Sequence, residues 1–185
     1  MTAIFRDDFE GHFRSIYEDT VNLLDAFPGE SESEVFNAFE HFSLACKLAA
    51  EVDGSATPAA DVEAVKDKAR VNLGQARRHL SVGRFFCIEH QIIFTMYSIR
   101  DHVARLPDNV RAAKAIHQGR ADELESEFRG AAAIEIKPIY NAAELERAVN
   151  EFENEIDGLT RVLNGFLKLA DDILAPNEPQ TPAQA

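Results

Sequence analysis

Apolar residues recur at spacings of three and four along most of the chain, the repeat of a helix with one buried side. Phe5, Phe9, Phe13, Ile16, Thr20, Leu23 and Phe27 form one such stripe. It predicts a helix over about residues 3–27, closed by Pro28-Gly29. Ser31 and Glu34 then have the spacing of a capping box, in which the hydroxyl meets a free backbone N–H and the carboxylate reaches back. A second helix is expected over about 33–52, with Val35, Phe36, Phe39, Phe42 and Cys46 toward the core.

Thr57-Pro58 is a further start signal, an N-cap followed by proline at the first helical position. Behind it Val62, Val65, Ala69, Leu73, Ala76 and Leu80 make a narrow stripe over about 58–82. Gly83 is expected to kink or break this helix before the next one, 85–106, which reads FFCIEHQIIFTMYSIRDHVARL. Leu106-Pro107-Asp108 separates it from a weakly amphipathic helix over about 108–128. Residues 130–140 carry no helical repeat, and Ile134-Glu135-Ile136 suits extended backbone before Pro138.

The last segment, about 141–174, has the most regular pattern. Leu145, Val149, Phe152, Ile156, Leu159, Leu163, Phe166, Ala170 and Ile173 alternate spacings of four and three, a heptad seam. Such a helix is roughly 50 Å long. Leu167 and Leu169 widen its apolar face near the end. The predicted fold is all-α, an antiparallel bundle of five to six helices in one domain over 1–175. The polar, proline-rich residues 176–185 are expected to form a disordered tail.

Composition agrees with a packed domain: 45% of the 185 residues are hydrophobic and 28% charged, too apolar for general disorder. No apolar run approaches the roughly 18 residues of a membrane span. The N-terminal MTAIFRDDFEGHF has acids where a signal peptide has its apolar segment, so a cytoplasmic protein is expected. Cys46 and Cys87 are isolated and suit reduced core thiols.

The net charge of −13 is segregated. Residues 1–53 hold three basic and twelve acidic side chains, residues 54–120 eleven and six, and residues 121–185 five and fourteen. A basic centre therefore lies between acidic ends. Packing of the central helices against acidic ones would balance these signs internally. A phosphate-binding surface at Arg70, Arg77 and Arg78 is the other reading, and the flanking acids oppose it.

Within 85–106, Glu89 and Arg100 share a side with the apolar residues but lie roughly 16 Å apart along the axis, out of mutual reach. Each is expected to meet an opposite charge from another helix, since an unpaired buried charge costs several kcal/mol. For Arg100 the expected source is the acidic first, second or last helix. His90 and Tyr97 lie at one edge of that face. Glu89, His90, Tyr97 and Arg100 thus define a polar core or, alternatively, a ligand pocket. No His, Cys or Glu spacing matches a zinc or di-iron site, and no glycine-rich loop or nucleophile elbow is present. Neither metal nor cofactor is expected.

Arg84-Phe-Phe-Cys-Ile-Glu-His90 and Arg111-Ala-Ala-Lys-Ala-Ile-His117 are similar in spacing to the Arg-x(4–6)-His of HEPN nucleases, which are small cytoplasmic helical bundles. That family carries a polar residue after the arginine, where this chain has Phe85 and Ala112. The resemblance implies RNA binding or ribonuclease activity. The residues themselves favour a non-enzymatic interaction or adaptor protein that binds a protein partner or a second copy. Nucleic acid ranks behind these, and a small-ligand pocket is the third reading.

Overall fold

The computed structural model describes residues 3–26, 32–53, 58–107, 111–133, 139 and 141–174, without the side chains of 3–10, 12, 13, 26, 53, 112 and 142. Five helices account for most of these residues: α1 (Ala3–Ala26), α2 (Glu32–Asp53), α3 (Val62–Arg105), α4 (Arg111–Ala131) and α5 (Ala142–Leu174). No strand occurs among the described residues. The side chains of Phe5, Phe9 and Phe13, and the residues Phe27, Ser31, Ile134-Glu135-Ile136 and 176–185, lie outside what is described.

The expected break at Gly83 is absent. Helix α3 runs unbroken for 44 residues through it. The reason is packing. A Cβ on Gly83 would lie 2.9 Å from Leu23 Cδ2 and 3.3 Å from Glu34 Cβ, so α1 and α2 close onto a bare stretch of α3. Glycine lowers helix propensity by about 1 kcal/mol, and the contact it permits outweighs that here. The start of α3 also differs from expectation. Asp61 N donates to the Pro58 carbonyl at 2.8 Å, so residues 58–61 form a turn and the helix begins at Val62.

The ends of the other helices have local causes. Asn141 Oδ1 accepts from the backbone N–H groups of Ala143 (2.9 Å) and Glu144 (3.2 Å), an N-cap for α5 that the sequence reading overlooked. Lys114 Nζ donates to the Ala104 carbonyl at the end of α3, where unsatisfied carbonyls favour a cation.

Packing divides the chain into two units that share α3 and α5. The first comprises Met1–Glu89 and Ile134–Gly158. Its core joins Ile16 and Leu23 of α1, Val35, Ala38 and Ala45 of α2, and Leu73, Ala76, Leu80 and Cys87 of α3. Leu145, Val149 and Ile156 of α5 are buried in the same unit. Each fully buried leucine or isoleucine contributes roughly 1.5–3 kcal/mol. Helix α2 runs antiparallel to α3, since residue 34 meets 79 and residue 41 meets 72. Helix α5 runs parallel to α3: Gly74 packs on Leu145, and Arg84 reaches Glu153. Two elements apart in an up-and-down order, these helices point the same way.

The second unit comprises His90–Ala133 and Leu159–Ala185. Ile92, Met96, Ile99 and Val103 of α3 are buried there, as are Ala121, Leu124 and Phe128 of α4 and Leu159, Leu163 and Phe166 of α5. Gly165 repeats the device of Gly83. Its absent Cβ would lie 2.6 Å from Leu124 Cδ2.

Candidate functional site

The helix that departs most from its expected phase is α2. Val35, Ala38 and Ala45 are buried, and Phe42 packs beside them. Those positions, spaced three, four and three, fix the inward side. Phe36 and Phe39, expected in the core, therefore face out and are 63% and 49% exposed. Leu44 joins them at 45%. Two apolar stripes run along α2, one holding Phe36 and Phe39 and the other Val35, Ala38, Phe42 and Ala45. The structure buries the second, whose Ala38 and Ala45 share one core cluster with Ala76 of α3, where small side chains allow close approach.

These outward residues line a shallow open groove of about 530 Å³ together with Glu40, Ser43 and Lys47. Two phenyl rings and a leucine exposed side by side are costly to leave in water, and such patches mark contact sites. Tyr17, Val21 and Leu24 form a second, less exposed apolar stripe on α1.

On the other side of α2 lies a polar chain that spans to α3. His41 Nδ1 bonds Asn72 Oδ1 at 2.9 Å, and His79 Nδ1 bonds Glu34 Oε2 at 2.7 Å. The Asn72 amide nitrogen donates to the Lys68 carbonyl, which leaves its oxygen as acceptor and makes His41 Nδ1 the donor. The two imidazole rings stack with centroids 5.4 Å apart. Glu34 thus links α2 to α3; its expected back-bond to Ser31 lies outside the described residues. Residues so distant in sequence give no motif, and the sequence reading had no signal for them.

A second polar cluster joins α1, α3 and α5. Buried Ser81 donates to Glu153 Oε1 at 2.6 Å, and Arg84 donates to Glu153 Oε2 at 2.8 Å. Asp19 lies in the same field and bonds Ser15. Burial raises its carboxyl above the usual 3.8, and the arginines Arg84 and Arg77 only partly offset this. Burial likewise pushes the Cys46 thiol up, which makes it a poor nucleophile.

The expected site residues are dispersed. In the 85–106 stretch of α3, Cys87 is buried within the first unit, and Phe85, Ile92, Met96, Ile99 and Val103 are buried along one side. They define an arc whose middle lies roughly 50° from Glu89, 70° from Arg100, 130° from Tyr97 and 150° from His90. Glu89 is accordingly half-buried, while His90, Tyr97 and Arg100 are exposed, Tyr97 by 64%. The sequence arc was drawn too wide because it weighted Ile88 and Ile93, both only half-buried, as core. Arg100, with its side chain 42% exposed, does find carboxylates on another helix, but on α4: Glu125, and Asp122 at 3.6 Å. Arg129 shares Glu125 at 2.5 Å. Ser126 completes a small surface cleft of about 280 Å³ with these four side chains.

Of the expected anion surface, Arg70 bonds Asp67 at 2.9 Å, Arg77 lies in the field of Asp19, and Arg78 is also engaged. Much of the basic centre is therefore spent on acids of neighbouring turns and helices. No group of three or more metal-ligating side chains occurs among the described residues. No helix among them is long and apolar enough to cross a membrane. Compared with protein-family models, curated proteins and solved structures, the chain matches none.

Proposed function

We propose that this chain is a non-enzymatic cytoplasmic interaction protein whose binding face is the outward side of α2. One observation carries the reading: Phe36, Phe39 and Leu44 line an open groove while the core of α2 is complete without them. A face built from phenyl rings, with a single acid and a single lysine beside them, has the composition of an interface centre. The heptad positions of α5 serve a different role in this account. Leu145, Val149, Ile156, Leu159, Leu163 and Phe166 are buried within the monomer, so the long helix is scaffold. Nucleic acid ranks lower because Arg70 and Arg84, which that reading needs, are held by Asp67 and Glu153.

A photo-crosslinking residue at Phe36 tests the proposal in cells that express the full chain. Protein adducts are expected at Phe36 and not at the exposed Gln118 of α4. Absence of adducts at Phe36 would contradict it.

A further inference from the structure

The occupant of the α2 groove can be argued from the charges at its two ends, on the premise that this face is a binding face. Glu40 and Lys47 both line the groove and are seven residues apart on one helix. Two turns separate them, so they share a side at roughly 10 Å along the axis. At that spacing they do not reach one another. Neither forms an ion pair with another described residue.

We infer that the groove takes a second copy of this chain, docked α2 against α2 in antiparallel fashion about a two-fold axis between Ser43 and Leu44. That axis brings Glu40 against the partner's Lys47, and Lys47 against the partner's Glu40. The same operation places the groove residues Phe36, Phe39 and Leu44 of both copies on the contact side. Leu44 of each copy lies near the axis. The face is thus complementary to itself, which is what an isologous contact requires. A parallel arrangement would oppose Glu40 to Glu40 and Lys47 to Lys47. An unrelated partner would have to supply the charge order that this chain already carries.

The strength of the contact is bounded. Three half-exposed apolar side chains per copy place the interface below about 1,200 Å² in total, the class of transient encounters. Residues 1–53 are strongly acidic in both copies, which opposes association further. The inferred dimer is therefore in the micromolar range, roughly 1–100 μM.

Sedimentation equilibrium of the full chain tests this, from about 1 μM to about 1 mM at near-physiological salt. The set is wild type, E40K, K47E, E40K/K47E and F36S/F39S. All four positions are exposed, and circular dichroism verifies folding of each variant. Wild type is expected to show a monomer–dimer equilibrium. Each single charge reversal is expected to weaken it at least about tenfold. E40K/K47E is expected to recover it, and E40K mixed with K47E is expected to form a mixed dimer. F36S/F39S is expected to remain monomeric. A wild type that stays monomeric up to about 1 mM overturns the inference. So does a dimer indifferent to E40K and K47E. Adducts at Phe36 to a different protein, with a monomeric wild type, would reject the second copy and keep α2 as a binding face. Loss of adducts altogether would reject both.

Discussion

Gly83 of α3 lies directly beneath Leu23 of α1, at a separation that leaves no room for a methyl group. Leu23 is buried, and Glu34 closes the other side while bonded to His79. The same relationship holds between Gly165 and Leu124. Gly119 of α4, by contrast, has nothing within 4 Å of where a Cβ would stand. The sign of a glycine-to-alanine change should therefore depend on position. Gly119→Ala should stabilise by up to about 1 kcal/mol through helix propensity. Gly83→Ala and Gly165→Ala gain the same propensity but overpack, at about 1–3 kcal/mol, and should be destabilising on balance. Urea unfolding of the three variants checks this ordering.

Arg100 and Arg129 hold Glu125 jointly, and Glu125 is only 13% exposed. Arg100→Met should then cost no more than about 1 kcal/mol, because Arg129 still satisfies the carboxylate. The double variant Arg100→Met/Arg129→Met strands Glu125 and should cost more than the two singles added together. A double-mutant cycle measured by urea unfolding decides it.

Asp19 supplies a pH dependence with a definite sign. Burial raises its folded pKa above 3.8. Between 3.8 and the raised value the folded state binds more protons than the unfolded state, so stability falls as pH rises through that window. Asp19→Asn removes this contribution. The variant should show a flatter stability profile than wild type from about pH 4 upward, and it should gain relative to wild type as pH rises. Unfolding free energies of both proteins across that range give the comparison.

Phe152 of α5 packs on Phe85 with ring centroids 5.5 Å apart, but it is half-buried. Phe152→Ala should cost about 2–3 kcal/mol, below the 3–5 kcal/mol typical of a fully enclosed phenylalanine. Leu159→Ala, fully buried in the same seam, should cost at least as much. Thermal and urea unfolding of both variants check the order.

The helical class and most helix limits were legible because apolar spacing reports a buried side directly. Helix α5 came through almost whole, since one dominant stripe left no competing phase. Two things were not legible. Gly83 reads as a breaker in isolation, and only Leu23 and Glu34, brought from other helices, show it to be a point of close approach. On α2 the aromatic residues outweigh alanines in any hydrophobic count, yet Ala38 and Ala45 are the ones buried. Small residues signal closeness between helices, and that is a property of the pair, invisible in one helix. For the same reason the groove of Phe36, Phe39 and Leu44 was read as core. Tyr97 and His90 are exposed because the buried side of α3 in this stretch is narrower than its apolar pattern implies.

The central claim is that the aromatic side of α2 is surplus to folding and reserved for binding. The most direct measurement is the unfolding free energy of F36S/F39S, taken at a concentration where the chain is monomeric. A value within about 0.5 kcal/mol of wild type is expected, while Leu80→Ala in the core beneath should lose about 2–5 kcal/mol. A loss for F36S/F39S as large as that of Leu80→Ala would show that the two phenylalanines belong to the core, and would contradict the claim.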